Sequence, residues 1–451
     1  MRADHGCGLS ENANIQPVNT LTRILAAAAI GMAAVAAIPL DAQEAPSAGA
    51  QLDQLRGTMR RAHTSGDTVS YLGAAQTMYS FLNGSPRATL QLMSAESFAG
   101  EQDDALYSFA QFVAMGQANE EALRAAQFDP LRTLPKFQAL QRNMAANASS
   151  VSNAAEVFRL KSSVPIPEDI DYDPAAKRFY ISSVLGKHIV AVDMAGQVTA
   201  FAQAPDQWPV MALKIDPARS LLWATEVALN GFTLVSEKDW GRSAVLLYDL
   251  HSRRLLHRIE GPPRAALGDM TLDLNGDAIV SDGEHGGVYR VNRMTQSIER
   301  IDGGDFVSPQ TPVVLQDGKH ILVPDYVRGI GVLNLADKHV AWIRTEGKHA
   351  LSGIDGLYAL GNTLIATQNG TSPERVVRFA LDASNTRVLS ESIIERATAT
   401  LGDPTHGVMV DGYFYYIANS GWDSLDDHGV LKEGKTLSAP VIMRAKMNPA
   451  G

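Results

Sequence analysis

Four carboxylates and one imidazole stand close to short apolar runs that recur along the chain. They are Glu168, Asp169, Asp269, Asp355 and His406. Carboxylates that are brought close together repel one another, and a shared proton or a bound divalent cation relieves that repulsion. A ring of oxygen ligands with one imidazole and no thiolate suits Ca²⁺ or Mg²⁺ better than Zn²⁺. If the fold gathers these side chains, the chemistry to expect is that of a cation site.

The apolar runs belong to six copies of one pattern, in which a first run, an Asp- or Gly-rich turn and a second β-rich run follow one another. In the fifth copy the turn is Gly361-Asn362, which is typical of a hairpin. The paired runs are 168–173 with 179–182, 211–216 with 221–224, 269–273 with 278–282, 310–314 with 321–325, 355–357 with 364–367, and 405–409 with 415–419. A repeat of roughly forty to sixty residues with three or four strands per unit predicts the blades of a β-propeller.

In a propeller the innermost strand of every blade begins at the same mouth of the central channel. Aligning the six copies on their turns places one residue from each copy at that mouth, with Glu168 beside the first of them. The six residues are Asp169, Ala212, Asp269, Thr311, Asp355 and His406. Simpler roles stand beside this one, because Asp269 could cap a turn and His406 could make a structural hydrogen bond as readily as transfer a proton.

A second set of equivalent polar residues closes the second strands, namely Asp282, Asp325, Gln368 and Asn419. Buried polar groups are normally paired, so we expect these four to stabilise the blades by hydrogen bonds rather than to act in catalysis.

The residues from about 164 to 447 resemble the senescence-marker-protein/gluconolactonase family, which is related to the paraoxonases. The resemblance is carried by Glu168 opening the first blade, by Asp355-Gly356-Leu357, and by the phrases 404–408 and 417–420. It implies a divalent metal at the channel mouth and hydrolysis of lactones or related esters. It also implies Glu168 and Asp355 as metal ligands, and Asp355 as the general base that acts on the attacking water.

One departure from that family bears on the metal. The family takes a third ligand, an asparagine, from a middle blade, whereas the fourth blade here offers Thr311. Asp269 in the third blade could replace it; otherwise the site is degenerate. We therefore predict Glu168, Asp269 and Asp355 as metal ligands, with Asp355 and His406 as catalytic residues. Ca²⁺ is the expected ion, and Mg²⁺, Mn²⁺ and Zn²⁺ are alternatives.

Residues 51–150 have a different pattern, with apolar residues at three- and four-residue spacing that predicts helices. From Tyr79 to Met144 they resemble tetratricopeptide-type repeats, on the phrases 105–110 with Met115-Gly116 and 128–137 with Leu140. Such repeats imply stacked helix pairs with a concave face for a peptide or another domain. A helical cap without a binding role is an equal alternative.

The beginning of the chain predicts export. An apolar run of h-region length follows Arg23, and small residues near Ala42 precede polar ones, which is the layout of a signal peptide over residues 1–42. The only cysteine, Cys7, would be removed with it, so thiolate chemistry and disulfides are excluded from the mature chain. We therefore expect a periplasmic or secreted protein without a membrane span after cleavage.

Composition and motifs exclude several functions. A net charge of -10 argues against nucleic acid as a partner. The sequence has no Gly-x-Ser-x-Gly elbow, phosphate loop, His-Glu-x-x-His motif or dinucleotide fingerprint.

The sequence thus predicts a mainly β protein, with a small all-α helical-repeat domain (51–150) before a six-bladed β-propeller (160–448). The leading hypothesis for its function is metal-dependent hydrolysis of a lactone or ester, or of a sugar-derived ligand, at the channel mouth. The alternatives are a non-catalytic scaffold whose helical repeats and propeller face bind a protein or cell-wall ligand, and a pocket that binds ligand without turnover.

Overall fold

A computed structural model describes residues 46–160 and 163–447. The predicted signal peptide lies outside these residues. The described chain begins with six α-helices, and short 3₁₀ turns precede the fifth. The helices are α1 (Ala48–Ser65), α2 (Thr68–Phe81), α3 (Pro86–Ala99), α4 (Gln102–Ala114), α5 (Asp129–Arg132) and α6 (Pro135–Asn147). None of the helices within the described residues is long and apolar enough to cross a membrane.

Local chemistry explains where the first helices begin and end. Asp67 accepts a hydrogen bond from the backbone N–H of Ser70 at 3.0 Å, and so caps α2. Pro86 is the first residue of α3, where its missing N–H costs nothing. Gly66 and Gly100 end α1 and α3 in the left-handed conformation. The helices then pack through two apolar cores, one within α1–α3 and one centred on Phe109 and Phe137.

Six antiparallel sheets follow and form the blades of a propeller, as the sequence pattern predicts. Blade 1 is β3 (Pro167–Asp173), β4 (Arg178–Ser183), β5 (His188–Asp193) and β6 (Val198–Gln203); blade 2 is β7 (Val210–Asp216), β8 (Leu221–Val227), β9 (Ser243–Asp249) and β10 (Leu255–Glu260); blade 3 is β11 (Leu267–Leu272), β12 (Ala278–Asp282), β13 (Gly287–Val291) and β14 (Ile298–Arg300). Blade 4 is β15 (Val313–Val314), β16 (His320–Asp325), β17 (Gly329–Asn334) and β18 (Val340–Trp342); blade 5 contains β19 (Gly356–Leu360), β20 (Thr363–Gln368), β21 (Arg375–Leu381) and β22 (Val388–Arg396); blade 6 contains β23 (Gly407–Val410), β24 (Tyr413–Ile417) and β25 (Val441–Lys446).

Two strands from before blade 1 complete the last two blades. β1 (Val151–Ser152) pairs with β22 at the outer edge of blade 5, and β2 (Ala155–Arg159) pairs with β25 as the outermost strand of blade 6. Residues 151–159, which lie between the two predicted domains (51–150 and 160–448), therefore contribute strands to the propeller sheets. Because blade 6 takes its outer strand from residues that precede blade 1, the two ends of the propeller are joined by backbone hydrogen bonds.

The first strand of each blade lies innermost, and neighbouring inner strands contact one another around the channel. β3, for example, contacts both β7 and β23. Antiparallel pairing then places the starts of the inner strands and the loops between second and third strands at the same face of the propeller. We call this face the site face, because the candidate acids stand there.

The helices are fixed to the site face through two arginines. The Arg328 guanidinium, in the β16–β17 turn, lies 4.2 Å from the ring centroid of Phe81, and its Nε donates to the Phe81 carbonyl at 3.0 Å. Arg375 of β21 is fully buried and donates to the carbonyl of Met115 at 3.4 Å. A Cβ at Gly116, whose φ is 76°, would lie 2.7 Å from Arg375 Nη1, so this close approach requires glycine.

Candidate metal centre

Small irregularities at the starts of the inner strands aim the candidate acids at the channel. In blade 1, Pro167 pairs with Ser183 but Ile170 pairs with Ile181, which leaves one extra residue in β3. The resulting β-bulge lies at Glu168 and Asp169, and the side chains of both of these adjacent residues are buried. A β-bulge has this effect because it re-aims side chains that would otherwise alternate between faces.

Hydroxyl groups on the second strands anchor these starts and define which residues are equivalent. Ser182 accepts from the N–H of Asp169 at 2.9 Å, and Thr367 accepts from the N–H of Gly356 at 2.8 Å. Asp169 is therefore equivalent to Gly356, and Glu168 is equivalent to Asp355. In blade 2 the N–H of Ala212 donates to Thr225 at 3.0 Å in the same way, so Asp169 and Ala212 are equivalent, as the alignment on turns has them. The alignment misplaces Asp355 by one residue, because it sets Asp355 level with Asp169.

Three predicted site residues come together at the channel mouth. Glu168, Asp355 and His406 each offer one ligand atom, and these atoms all lie within 4.8 Å of one another. All three residues are buried. They come from blades 1, 5 and 6, so only the closure of the propeller brings them together.

The backbone holds the His406 ring in one orientation. Its Nδ1 lies 2.8 Å from the carbonyl oxygen of Glu168, which can only accept, so Nδ1 carries the proton. In the neutral ring Nε2 then presents a lone pair. Nε2 is buried and has no hydrogen-bond partner of good geometry among the described residues, although Oδ1 of Asp269 lies 3.3 Å away. A buried ring nitrogen that has no hydrogen-bond partner and lies beside carboxylates fits one of two roles, a metal ligand or part of a charged imidazolium.

Glu168 and Asp355 are each oriented by a neighbour that the sequence did not single out for that role. The indole Nε1 of Trp422 donates to Oε2 of Glu168 at 2.5 Å. Asn369 Nδ2 donates to Oδ2 of Asp355 at 3.0 Å, and Asn369 accepts in turn from the Tyr326 hydroxyl at 2.9 Å. Ligating carboxylates in proteins are commonly held by such outer hydrogen bonds.

Asp269, the third predicted ligand, stands beside the three clustered residues. Its Oδ1 faces His406 Nε2, and its Oδ2 lies 3.4 Å from the hydroxyl of Thr311. That hydroxyl is also 3.0 Å from the backbone carbonyl of Asp355. Thr311, which occupies the position where the family resemblance would place asparagine, thus connects blades 3 and 5 instead of offering an amide oxygen.

Asp169 has a different role, deeper in the channel. Its Oδ2 accepts from the ammonium of Lys214 at 2.6 Å and from the N–H of Leu213 at 2.9 Å, and it is fully buried. A buried carboxylate with a cationic partner and backbone donors is satisfied without a metal. The structure therefore separates Glu168, which faces the site, from Asp169, which joins blades 1 and 2.

Burial and mutual repulsion set the charge of the group formed by Glu168, Asp269, Asp355 and His406, which we call the ring of acids or, for short, the ring. Burial raises the pKa of Asp355 to about 7, with Asp269 adding to the rise and His406 opposing it. Burial and the charge of Asp355 hold the pKa of Glu168 well above its usual range. Burial alone would lower the pKa of His406, but the surrounding carboxylates, Asp269 first, hold it well above 6.5. Near neutral pH the metal-free ring therefore retains protons that a divalent cation would displace.

The second set of aligned polar residues makes structural hydrogen bonds, as the sequence analysis expects. Asp325 accepts from four backbone N–H groups around the β14–β15 and β16–β17 connections. Asp282 accepts from the N–H groups of residues 284 and 285, and Gln368 donates to two carbonyls in the approach to β19. Asn419 accepts from the N–H of Val441 at 2.6 Å.

A small cavity opens beside the clustered residues. It has a volume of about 110 Å³, and Glu168 and Asp269 line it together with apolar side chains such as Met211 and Leu229. Two long connections on the site face pack against each other next to it, residues 228–242 of blade 2 and residues 418–440 of blade 6. The N–H of Thr233 donates to the His428 carbonyl at 3.1 Å. The carboxylates therefore face a pocket with an apolar wall, which suits a ligand that is partly apolar.

The three clustered residues fit a divalent cation. Oxygen and nitrogen ligands lie about 2.0–2.6 Å from such ions, so two ligands of one ion can be up to roughly 5 Å apart. The clustered atoms satisfy this limit. A set of two carboxylates and one imidazole is less purely oxygen-based than the sequence predicts, and imidazole favours Zn²⁺ more than Ca²⁺.

Comparison with solved structures finds similarities at low sequence identity. Solved structures similar to this chain include a luciferin-regenerating enzyme, at 12% identity and TM-score 0.46, covering 66% of this chain and 95% of that one. They also include the PQQ-bound aldose sugar dehydrogenase of Streptomyces coelicolor, at 12% identity and TM-score 0.44, covering 66% and 98%. A streptogramin B lyase matches at 13% identity and TM-score 0.41, covering 64% and 96%.

No protein-family model matches the sequence, and no curated protein matches it either. Similarities to solved structures at this level carry no argument about activity. What the ring can do must therefore be argued from its own residues.

Proposed function

We propose that the chain is an exported, metal-dependent hydrolase of a lactone or ester, with its reaction centre at the channel mouth of the propeller. The observation that carries the proposal is the buried cluster of Glu168, Asp355 and His406, with their ligand atoms within 4.8 Å of one another. Buried carboxylates with raised pKa values and an imidazole nitrogen without a hydrogen-bond partner cluster at functional sites more often than in structural cores.

In this proposal Glu168, Asp355 and His406 hold the cation, and Asp269 stands next to them. When bound, the cation supplies Lewis-acid polarisation of the substrate carbonyl and makes a water more acidic. The chain provides the orientation of the ligands. Trp422 directs the Glu168 carboxylate and the Glu168 carbonyl directs the imidazole of His406.

Asp355 is also the residue proposed to accept the proton of the attacking water. A general base works best when its pKa is near the working pH, and burial raises the pKa of Asp355 to about 7. Asn369 donates a hydrogen bond only to Oδ2 of Asp355, so Oδ1 of Asp355 is left to face the ring. The apolar wall of the adjacent cavity would exclude bulk water from the ester.

The resemblance to the senescence-marker-protein/gluconolactonase family supports the same proposal. The two acids that the resemblance carries over, Glu168 and Asp355, lie within the cluster. In this proposal His406 is the third ligand, because Thr311 stands where the family would have an asparagine and offers no amide oxygen. We propose kinship with that family on this basis.

A panel of aliphatic lactones and aryl esters tests the proposal, with the protein first stripped by EDTA and then supplied with Mn²⁺, Zn²⁺, Ca²⁺ or Mg²⁺. We expect hydrolysis that depends on the added metal and falls at least a hundredfold in Asp355→Asn. Asp411→Asn is the matched control, because it makes the same change at an exposed turn between β23 and β24, at the opposite face. Hydrolysis that survives both EDTA and Asp355→Asn would overturn the mechanism.

If the stripped wild-type protein binds none of the four metals, the cluster is not a metal centre and the hydrolase proposal is wrong. Binding of a metal without hydrolysis of any substrate would favour the alternative of ligand binding without turnover.

A further inference from the structure

A groove on the helices, far along the chain from the ring of acids, has the form of a second binding site. It is formed by α1, α2 and α3 and has a volume of about 520 Å³. Tyr71 and Met78 form its floor and are buried. Beside it the rings of His63, Tyr71 and Phe98 pack at centroid distances of 5.1–5.7 Å. The groove therefore offers apolar and aromatic contact surface.

The rim of this groove is basic, although the chain as a whole carries a net charge of -10. Arg56, Arg60, His63 and Arg87 line it, and none of the lining residues in the described part of the chain is acidic. Only Arg56 has a carboxylate within salt-bridge distance there, that of exposed Asp53 at 3.4 Å. Three guanidinium groups with only one carboxylate beside them leave a net positive charge, which attracts anions and raises their local concentration.

We propose that this groove binds an acidic peptide segment of another protein. Arginine binds carboxylates through paired hydrogen bonds, and these bonds are strong where the planar guanidinium can approach from one side. The exposed rings of His63 and Phe98 then favour a segment in which acidic residues alternate with apolar ones, since a small inorganic anion would leave these rings uncovered. This inference concerns the helices alone and is independent of the proposed hydrolase activity.

Fluorescence anisotropy with labelled octapeptides and the full chain tests whether the groove binds acidic peptides. Half of the peptides contain alternating Asp or Glu and Leu residues, and their partners contain Asn or Gln in place of the acids. We expect the acidic peptides to bind at least tenfold more tightly than the amide peptides. We expect this affinity to fall as NaCl is raised from about 50 to 300 mM, because exposed charges are screened over roughly 10 Å at 0.1 M salt.

The double variant Arg60→Glu/Arg87→Glu should weaken binding of the acidic peptides at least tenfold. Arg61→Glu is the matched control: Arg61 is exposed on the same helix, does not line the groove, and hydrogen-bonds Thr58. It should bind within about twofold of wild type, since its charge points away from the rim. Circular dichroism of all variants checks that the helices remain folded.

Equal binding of acidic and amide peptides would overturn the inference, as would equal effects of the double variant and Arg61→Glu. Inorganic phosphate is included as a competitor. If phosphate displaces the peptides at millimolar concentration as completely as unlabelled peptide does at the same concentration, the groove is a small-anion site and the peptide assignment is wrong.

Discussion

Replacing Asp355 by asparagine should make the metal-free protein more stable while removing its capacity to be stabilised by metal. Asparagine has nearly the same shape, and its carbonyl oxygen can still accept from Asn369, which bonds Asp355 at 3.0 Å. The substitution therefore keeps the packing and removes a charge from a ring that already contains Glu168 and Asp269.

The size of the effect follows from the pKa of Asp355. Burial raises it from 3.8 to about 7 in the folded protein, so between these values the folded state holds a proton that the unfolded state has released. Folded stability therefore falls as the pH rises from 3.8 to 7, and the penalty is constant above 7. Such a rise corresponds to an upper value of about 4 kcal/mol, and sharing of protons within the ring reduces it.

A divalent cation should remove most or all of this difference in stability. A ligand that binds only the folded protein adds about 2.7 kcal/mol at a hundred times its Kd. Wild type should gain this increment with Mn²⁺, and Asp355→Asn should gain little. The variant is thus expected to be the more stable protein in EDTA, with most or all of that advantage lost with metal.

Urea unfolding followed by tryptophan fluorescence measures both effects, at pH 4 and pH 8 and with EDTA or Mn²⁺. In EDTA the variant should exceed wild type at pH 8 and nearly match it at pH 4, where the folded carboxyl is protonated and the unfolded one is close to half protonated. Asp411→Asn should show none of these differences. If the variant is equally destabilised at both pH values in EDTA, Asp355 is not repelled by its neighbouring carboxylates and the reasoning is refuted. Equal stabilisation of both proteins by Mn²⁺ would refute the role of Asp355 as a ligand.

Three further predictions follow from side chains around the ring and at the helix contact. Trp422→Phe removes the indole donor to Glu168 and should weaken Mn²⁺ binding about tenfold, as loss of outer hydrogen bonds to metal ligands usually does; titration calorimetry measures this, and unchanged affinity would contradict it. Asn369→Leu removes a hydrogen bond that lowers the pKa of Asp355, so the midpoint of the pH–affinity curve for Mn²⁺ should move upward. Arg375→Ala deletes a fully buried guanidinium between the helices and blade 5; urea unfolding should show a loss of about 3–5 kcal/mol, and a loss below 1 kcal/mol would be inconsistent with this contact.

The propeller was predictable because its signal is repeated. A single run such as 364–367 could belong to many folds, but six copies at one spacing favour blades. The closing strands were not predictable in the same way. β1 and β2 lie in a short polar stretch and gain their partners only from β22 and β25, more than two hundred residues later. A strand that depends on so distant an edge leaves little trace in local sequence.

The ring was predictable in its members but not in its geometry. Alignment on turns identified Asp269, Asp355 and His406, yet it set Asp169 in place of Glu168, which only the family resemblance supplied as a ligand. The cause is a one-residue offset in blade 5: counted by strand pairing, Gly356 opposite Thr367 corresponds to Asp169, and Asp355 lies one residue nearer the channel mouth. The signal that could have corrected it is the hydroxyl on the second strand: Ser182 and Thr367 mark equivalent positions, and counting from them pairs Glu168 with Asp355.

The position of Tyr326 shows why the helices matter to the ring. Tyr326 reaches Asp355 through Asn369, and the same β16–β17 turn carries Arg328, which lies between Phe81 of α2 and Trp342 of blade 4. Arg328 also donates to the carbonyl of Phe81, and Asn83 donates to the carbonyl of Arg328. Because close-packed groups transmit strain, we expect the helices to restrict the turn, and the turn to restrict the hydrogen-bond chain that orients Asp355. The ring of acids therefore depends on the helices for its orientation as well as on the propeller for its assembly.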